Sequence, residues 1–371
     1  MPRLTIAGYY GFGNAGDEAI LEATVGTLRK CIPGAEFTVL TNDPPATRAA
    51  CNVNVVSRFS PFAVLKAIRD SDMFLFGGGS LLQDITSLRS LAYYLSLLFT
   101  AQSLGKPTMI YANGFGPVNS SLGKALTRTV VNRVSAITLR DSDSARQIEM
   151  IGVTRPPVRV TADPAFTLES AGAGHAKGIL EEAGVRPDGR PLVGVSLRPW
   201  AGGDRLVTAM AEACDMIRDG LGATVVLMPM QQVKDGPVAD QVSRRMKGPV
   251  TVLKRPCTPR QLMACTEMMD VVVGMRLHSL IFGVASAVPV AGIIYDPKIQ
   301  AFLEAAGCPA LGTPGELNAR TVFETVGHIL ENAGTTRERL AHKRDEFRRL
   351  ALENALIAKS LLLGSFQGDT A

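Results

Sequence analysis

The chain has 371 residues, more than a single hydrophobic core usually serves, so two domains are expected. Hydrophobic residues make up 46% and charged residues 20% of it, a composition that excludes an intrinsically disordered protein. The net charge of +5 suits an anionic ligand or an anionic membrane surface, but without a clustered basic face or a known module it does not indicate nucleic-acid binding.

Cysteine usage and the N-terminal sequence indicate a cytoplasmic protein. The six cysteines form no C-x-x-C pair and lie mostly in apolar patterns, as reduced, buried thiols do. A strand is predicted to start near the first residues, which leaves no room for a signal peptide. The longest uncharged run, residues 90–105, is too short to cross a bilayer and is predicted to be a buried helix.

Short apolar strands alternate with amphipathic helices along the first half of the chain, which is the pattern of a parallel sheet with crossover helices. The predicted strands are residues 4–9, 36–40, 73–76, 108–111, 136–139 and 158–161. Helices are predicted between them, among others at residues 17–31, 90–103 and 142–151.

A second series of the same kind follows residues 169–178, which are rich in small residues and predict an interdomain connection. Helix 259–267 has a clear start, with Thr258 as the cap and Gln261 completing a capping box. Two helices are predicted after Pro314. The predicted strands of this half are residues 191–197, 223–228, 250–253, 271–273 and 288–293.

This order predicts an α/β fold with two Rossmann-like domains facing across a cleft and a C-terminal helix packing back. The expected boundaries are 1–168 for the first domain, 169–190 for a linker, 191–335 for the second domain and 336–371 for the helix. Ligands bind such sheets at the carboxyl ends of the strands, so polar residues that follow strands are the candidates for a site.

The first candidate segment follows the first strand. Gly11, Gly13 and Gly16 match the dinucleotide-binding fingerprint, and Asp43 lies where a ribose partner would be. However, Asp17 and Glu18 come directly afterwards, at the positive end of a helix, where they would repel a pyrophosphate. They suit a site that grips sugar hydroxyls or accepts a proton, although helix capping alone also explains acidic residues here.

The second candidate segment is the glycine run 77–79, directly after a buried strand. Three consecutive glycines allow backbone N–H groups to approach a ligand closely, and Gln83 and Asp84 add polar ends. A tight turn would also use glycine, but rarely three in a row, which favours a functional interpretation.

Three arginines also follow predicted strands: Arg140, Arg198 and Arg276. One such arginine is more often an ion-pair partner than a ligand. Three on one edge would indicate a polyanionic substrate, because guanidinium groups bind carboxylate and phosphate oxygens in pairs.

Arg276 belongs to the most informative segment, a strand-to-helix turn that also contains His278. A lone histidine is usually structural, but one beside an arginine at a ligand edge is a fair candidate for acid–base chemistry. Lys298 follows the next strand, where it would be either a ligand or a solvated charge.

Together these segments resemble the polysaccharide pyruvyl transferase family, specifically its CsaB-like bacterial members, over nearly the whole chain. The resemblance is carried by residues 8–20, 76–84, 196–200, 228–231 and 274–278, in this order. It implies a GT-B-like fold and transfer of pyruvyl from phosphoenolpyruvate to two hydroxyls of one sugar, forming a cyclic ketal and releasing phosphate. For CsaB-like members the implied acceptor is an N-acetylmannosamine unit of a lipid-linked precursor of the secondary cell wall polymer.

Within this resemblance we expect cationic residues to hold the donor and His278 to act as acid or base, with Asp17 or Glu18 as the acceptor-side base. The expected donor residues are Arg140, Arg198, Arg276 and Lys298. The expected acceptor residues are Gly13, Asn14, Gly78, Gln83, Asp84 and Gln231. No metal site and no cofactor are required, and peripheral contact with the inner membrane leaflet is expected from a lipid-linked acceptor.

Two alternatives stay open at this point. A GT-B glycosyltransferase using a nucleotide sugar would share the fold and a basic site in the second domain. A non-catalytic dinucleotide-binding module would use the glycines 11–16, but Asp17 and Glu18 argue against it. The regiochemistry of the ketal and the oligomeric state, including a homo-oligomer, are left open by the sequence.

Overall fold

The computed structural model of the chain describes residues 1–85, 87–186 and 188–366. These form two compact units. The first comprises residues 1–13, 17–168 and 347–366, and the second comprises residues 14–16 and 169–346.

The first unit is built on a parallel sheet in the order β3-β2-β1-β4-β6-β7-β8, with β5 also paired to β6. Every pairing is parallel. The strands are β1 (Arg3–Ala7), β2 (Glu36–Thr41), β3 (Asn54–Ser57), β4 (Met73–Phe76), β5 (Gly79–Leu82), β6 (Thr108–Phe115), β7 (Ala136–Leu139) and β8 (Val158–Val160).

Crossover helices connect these strands and cover both faces of the sheet, as β4 illustrates. Met73 and Leu75 pack into the core on one face, whereas Phe74 and Phe76 pack into the core on the other. A strand buried on both faces is apolar throughout, which explains why β4 shows no alternation. The helices are α1 (Ala15–Cys31), α2 (Pro44–Cys51), α3 (Pro61–Asp70), α4 (Leu88–Ser103), α5 (Ser121–Val131) and α6 (Ser142–Met150), and a 3₁₀ helix covers Pro164–Thr167.

The second unit has a parallel sheet in the order β11-β10-β9-β12-β13. Its strands are β9 (Leu192–Ser196), β10 (Thr224–Leu227), β11 (Thr251–Val252), β12 (Val271–Gly274) and β13 (Val290–Gly292). Its helices are α7 (Ala173–Glu182), α8 (Gly203–Leu221), α9 (Gln232–Arg245), α10 (Pro259–Glu267), α11 (Leu277–Ala285), α12 (Pro297–Ala306) and α13 (Ala319–Glu331). The parallel α/β prediction is confirmed in both units.

The last helix, α14 (Ala333–Leu362), is divided between the units at Phe347. From that residue onward it belongs to the first unit. There the side chain of Asn354 accepts a hydrogen bond from the Thr161 hydroxyl at 2.8 Å and donates to the Ala162 carbonyl at 3.2 Å. Ala355 and Ala358 pack into the core.

Three elements were missed by the sequence analysis. Strands β3 and β5 were not predicted; β3 has no fully buried side chain and β5 opens on a glycine, so neither shows a strong strand pattern. Helix α7 lies inside the segment predicted to be a connection. Its two internal glycines weaken the helical pattern, but Ala176, Ile179 and Leu180 are buried, and this packing stabilises the helix.

Each sheet has one point where the strand order reverses direction along the chain. In the first sheet it lies between β1 and β4, and in the second between β9 and β12. Crossovers leave to opposite sides there, which opens a crevice at the carboxyl ends of the strands. The segments after these four strands are therefore the ones positioned to bind a ligand.

Candidate active site

The loop after β1 closes around the carboxylate of Glu18. The backbone N–H groups of Gly11 and Phe12 donate to Glu18 Oε1 at 2.8 and 3.2 Å. Gly11 has φ +78°, and a Cβ atom there would lie 2.3 Å from the Thr41 hydroxyl, so only glycine fits. Because the carboxylate already takes these N–H groups, the loop is built for an acidic side chain and not for a pyrophosphate.

Burial raises the pKa of Glu18 from 4.5 to about 7. The hydrogen bonds from the loop favour the charged form and oppose this rise, while the negative charge of Asp17 reinforces it. A carboxyl group with a pKa near neutrality exists in both protonation states at physiological pH, so it can give or take a proton.

Asp17 lies beside the glycine run: its Oδ1 atom is 3.5 Å from the position that a Cβ atom would take on Gly79. The run itself has a packing explanation. A Cβ atom on Gly77 would lie 2.1 Å from the Tyr10 hydroxyl, and one on Gly78 would lie 2.9 Å from Ile20. The N–H of Gly77 also donates to the Ala7 carbonyl. This N–H group is therefore used inside the protein and is not available to a ligand.

Of the two polar residues after β5, Asp84 is taken up by the protein itself. Its oxygens accept hydrogen bonds from the N–H groups of Asn119 and Ser120, both at 2.8 Å, and from the Ser120 hydroxyl at 2.7 Å. Although partial burial works in the opposite direction, these bonds lower the pKa of Asp84. Asp84 therefore has a structural role, in which it fixes the start of the helix after β6. Gln83, just before it, is half-buried.

Arg140 lies in the first unit, at the end of β7, so it does not share a sheet edge with the other two predicted arginines. Its guanidinium donates to Asp163 at 2.8 Å and to the Ser80 hydroxyl at 2.9 Å. Its side chain is only 6% exposed, and that of Asp163 4%. Arg140 thus forms a buried ion pair within its own unit.

An aromatic cluster around Arg58, which follows β3, was not found from the sequence. The guanidinium carbon lies 4.7 Å from the ring centroid of Tyr93, 5.4 Å from that of Phe12 and 5.5 Å from that of Tyr94. Phe12 is stacked in turn on Tyr9, with ring centroids 4.0 Å apart. No pattern in the sequence indicated this cluster, because its aromatic residues are far from Arg58 in the chain: they come from the loop after β1 and from α4.

In the second unit, Arg276 is held in place by a carboxylate. Its Nε donates to Asp235 Oδ2 at 3.0 Å, and its Nη2 donates to Asp235 Oδ1. Asp235 is completely buried and also accepts the N–H of Gln231 at 2.9 Å. The Gln231 side chain in turn accepts from Arg276 Nη2 at 3.4 Å. One edge of the guanidinium is therefore fixed by the protein, and sequence analysis missed Asp235, which lies on α9.

His278 lies in the first turn of α11, against the backbone of Gly16. A Cβ atom on Gly16 would lie 2.1 Å from His278 Nδ1, so this glycine is required for the imidazole to occupy its place. The segment 14–16 is tied to the same unit by a hydrogen bond from the Ala15 N–H to the Met230 carbonyl at 3.0 Å. Asn14 accepts the Gly16 N–H at 3.3 Å, and Gly13, just before it, is exposed with φ +67°.

Two further cations surround Tyr295, which follows β13. The guanidinium carbon of Arg198 lies 4.5 Å from the ring centroid of Tyr295, and Lys298 Nζ lies 5.9 Å from it. Lys298 also pairs with Asp296 at 2.8 Å. Arg198 and Trp200 line a cavity of about 240 Å³.

Two buried polar atoms at this edge have no hydrogen-bond partner among the described residues: Arg198 Nε and the hydroxyl of Ser196. Ser196 is the last residue of β9 and Arg198 comes two residues later, so both lie beside the point where the strand order reverses. Buried polar groups are normally satisfied, so an unsatisfied pair at such a point indicates a place for a ligand. The structure thus gathers Arg198, Gln231, Arg276, His278 and Lys298 at the edge of the second sheet.

Comparison with known proteins identifies the family and the fold. A sequence model of the polysaccharide pyruvyl transferase family matches residues 14–297 of the 371. No curated protein sequence matches the chain.

Among solved structures, the chain is similar to a putative UDP-N-acetylglucosamine 2-epimerase from Listeria monocytogenes, with a TM-score of 0.71, 12% identity, and coverage of 98% of this chain and 97% of that one. It is also similar to S. aureus MnaA in a co-structure with UDP (TM-score 0.68, 10% identity, coverage 99% and 98%). A third similar structure is Anabaena Alr3699/HepE in complex with UDP-glucose (TM-score 0.63, 12% identity, coverage 98% and 99%). At these identities the likeness concerns the fold alone, and the GT-B-like fold expected from the sequence is confirmed.

No helix in residues 1–85, 87–186 and 188–366 is long and apolar enough to cross a membrane. In the same part of the chain, no three His, Cys, Asp or Glu side chains are grouped as a metal site.

Proposed function

Because the chain belongs to the polysaccharide pyruvyl transferase family and is therefore a transferase, we propose that it takes its pyruvyl group from phosphoenolpyruvate. The observation that carries this proposal is the carboxyl edge of the second sheet, which holds Arg198, Arg276 and Lys298. The same edge has two buried polar atoms, Ser196 Oγ and Arg198 Nε, without a hydrogen-bond partner in the part of the chain that the structure describes. Phosphoenolpyruvate carries a carboxylate and a phosphate, and guanidinium and ammonium groups are the natural partners of both.

The three cations are suited to different parts of the donor. Arg276 is fixed on one edge by Asp235, so it would present a rigid group to one oxyanion. The guanidinium of Arg198, whose Nε has no hydrogen-bond partner among the described residues, lies over the ring of Tyr295, and the ammonium of Lys298 lies over the same ring. This second pair is proposed to hold the other oxyanion. Arg140 is left out of the donor site because Asp163 and Ser80 already occupy it.

His278 is proposed as the acid–base residue of the donor side. Protonation of the methylene carbon of phosphoenolpyruvate produces a cationic centre at the adjacent carbon, which the first sugar hydroxyl attacks. The bond from that carbon to the phosphate oxygen breaks, and the second hydroxyl closes the ketal. The two sugar hydroxyls lose one proton each. One of these protons is equivalent to the one that the new methyl group has gained, and the other is taken up by the released phosphate.

Asp17 and Glu18 are proposed to act on the acceptor hydroxyls. Glu18 is the stronger candidate for proton transfer, because its pKa of about 7 lets it accept a proton at neutral pH and release it again. The ring of Tyr9, which Phe12 supports by stacking, is a proposed platform for a sugar ring. Gly13, Asn14, Gln83 and Gln231 remain proposed acceptor contacts, while the structural roles of Gly78 and Asp84 argue against including those two.

The proposed acceptor is an N-acetylmannosamine unit of a lipid-linked precursor of a cell wall polymer, which follows from the resemblance to CsaB-like members. Such an acceptor is presented at the inner face of the cell membrane. We therefore propose a cytoplasmic enzyme that contacts this membrane peripherally, a role to which the net charge of +5 is suited.

The test is phosphate release from phosphoenolpyruvate in the presence of a lipid-free N-acetylmannosaminyl acceptor, with mass spectrometry of the product. We expect a ketal product, and a loss of turnover of about a hundredfold or more in His278→Ala. His175→Ala, which changes an exposed histidine of the same unit, is the matched control and should keep wild-type turnover.

Two outcomes would overturn the proposal. The first is wild-type turnover in both His278→Ala and Arg276→Ala. The second is the absence of phosphate release together with protection from unfolding by UDP-sugars, which would favour a glycosyltransferase that uses a nucleotide sugar.

A further inference from the structure

Four large apolar side chains are exposed where helices of the first unit begin. Phe59 and Phe62 flank the start of α3, Ile85 precedes α4 and Leu122 lies in the first turn of α5; their exposures are 72%, 88%, 67% and 57%. We call these four residues the apolar rim. Since each of these crossover helices starts where a parallel strand has ended, the rim lies at the carboxyl edge of the first sheet, the edge that carries Asp17 and Glu18.

Specific contacts hold the three helix starts together. Arg58, directly before Phe59, lies over the ring of Tyr93 in α4. Asp84, directly before Ile85, accepts hydrogen bonds from Ser120, the residue that caps α5. The buried sides of α3, α4 and α5 also share one hydrophobic core. The three helix starts that carry the rim therefore lie side by side.

The helix starts that carry the rim also carry exposed cations. Between Asp84 and Asp141 there is no Asp or Glu, whereas there are six Lys or Arg residues. Arg140 is one of the six and is buried, but Arg89 and Lys124, in the first turns of α4 and α5, are exposed beside the rim. The rim thus combines exposed apolar groups with exposed cations.

The exposed apolar side chains and the exposed cations together indicate which kind of partner fits the rim. Single exposed apolar residues are common on protein surfaces and need no partner. Four on the starts of three packed helices, with the exposed cations Arg89 and Lys124 beside them, form a different kind of surface. A second copy of the chain would bring the same positive charge against it and be repelled. An anionic bilayer has the complementary charge and an apolar layer just below its headgroups.

We propose that the apolar rim, with Arg89 and Lys124, docks the first unit onto the surface of an anionic membrane. Phe62, Ile85 and Leu122 enter the headgroup layer, and the two cations contact anionic headgroups. This inference rests on the proposed function, since a lipid-linked acceptor would present its sugar at that surface, next to the sheet edge that carries Asp17 and Glu18.

The test is co-sedimentation of the full chain with vesicles made of equal parts of phosphatidylcholine and phosphatidylglycerol. We expect binding to these vesicles, little binding to vesicles of phosphatidylcholine alone, and weaker binding at high salt. The double variant Phe62→Ser/Leu122→Ser should bind these vesicles at least about tenfold more weakly than the wild type, because it removes two side chains from the apolar layer. Arg89→Glu/Lys124→Glu should also lose about tenfold.

The matched control is Met150→Ser/Val233→Ser, which replaces two apolar side chains that are 80% and 88% exposed and lie outside the rim. It should bind vesicles like the wild type. The proposal is overturned if the wild type does not sediment with the anionic vesicles, or if the control loses as much binding as the rim variant. It is also overturned if the rim variant changes only the elution volume in size-exclusion chromatography, which would make the rim a contact between copies.

Failure of docking and failure of the proposed function give different results. With a lipid-free acceptor, the rim variants should keep wild-type pyruvyl transfer, because they do not change any residue of the proposed site. If docking depends on the rim but no pyruvyl transfer is detected, the proposed function fails alone. If transfer is normal and the rim has no effect on vesicle binding, the docking proposal fails alone.

Discussion

The two sheets have the same kind of strand order but differ in the charged residues that follow the strands at their reversal points. At the reversal point of the first sheet, the first turn of the helix after β1 carries the carboxylates of Asp17 and Glu18. At that of the second sheet, the segments after the strands carry cationic or basic residues: Arg198, Arg276 and His278. The backbone topology thus places a site, and the few residues that follow each strand give the site its chemistry.

The two edges also differ in how they keep a buried carboxylate. Glu18 accepts hydrogen bonds from backbone N–H groups, and burial raises its pKa to about 7. Asp235 is buried more deeply, but Arg276 neutralises it with two hydrogen bonds. A carboxylate held by neutral donors stays ready to exchange protons, whereas one held by a guanidinium becomes a fixed support.

The largest expected effect comes from breaking that support. Asp235→Ala leaves the guanidinium of Arg276, which is 13% exposed, without its buried partner. We expect the free energy of unfolding of the second unit to fall by about 3–5 kcal/mol, measured by urea denaturation. Adding Arg276→Met should recover much of this loss, because no buried charge is left unpaired, while pyruvyl transfer should stay impaired.

Glu324→Ala is the control for this prediction, since it breaks the exposed ion pair with Arg320 in the same unit. Its unfolding curve should stay close to that of the wild type. If Asp235→Ala were as harmless as Glu324→Ala, the fixed support at the second edge would not exist and the contrast with Glu18 would disappear.

The next effect concerns pH at the first edge. The pKa of Glu18 is about 7 in the folded chain and 4.5 without burial, so the folded state holds an extra proton between these values. Its contribution to stability is complete below pH 4.5 and is lost as the pH rises through 7, a change of about 3 kcal/mol. In Glu18→Gln, which cannot ionise, this decrease should be absent.

The measurement is the urea midpoint of unfolding at several pH values between about 4 and 8, the range that spans both protonation states of the carboxyl group. Glu36→Gln, which changes an exposed glutamate at the start of β2, is the matched control and should follow the wild-type pH profile. A Glu18→Gln variant with the same pH profile as the wild type would show that this carboxyl group does not keep a raised pKa.

The smallest effect tests the cation pair on Tyr295. Tyr295→Leu removes the ring beneath Arg198 and Lys298, and a cation–π contact contributes about 0.5–1 kcal/mol when partly exposed. We expect the KM for phosphoenolpyruvate to rise about two- to fivefold with little change in kcat. Tyr295→Phe keeps the ring and should behave like the wild type, and an equal rise of KM in both variants would assign the effect to the hydroxyl instead.

Local sequence patterns were sufficient for the framework of the fold. The all-apolar β4 and the capping box at Thr258 were predicted at the residues where the structure has them, because these signals depend only on near neighbours in the chain. The β3 and β5 strands and the α7 helix were missed, because their own residues favour them only weakly and packing against other elements stabilises them.

The candidate site shows the same division. Arg198, Arg276 and His278 could be selected from the sequence, since each directly follows a recognisable strand. The partners of these residues could not. Asp235 is 41 residues from Arg276 in the sequence, and nothing in the sequence of α9 distinguishes it from a solvated carboxylate.

The sequence by itself determined the order of strands and helices, the family and the residue types at the strand ends, since strands and turns are specified over short stretches. Only the tertiary structure decided which of those residues are available. It enclosed Arg140 and Asp84 in internal hydrogen bonds, buried Glu18 until its pKa approached neutrality, and brought four apolar side chains into one rim. Burial and pairing depend on groups far apart in the chain, and a pattern of neighbouring residues does not contain them.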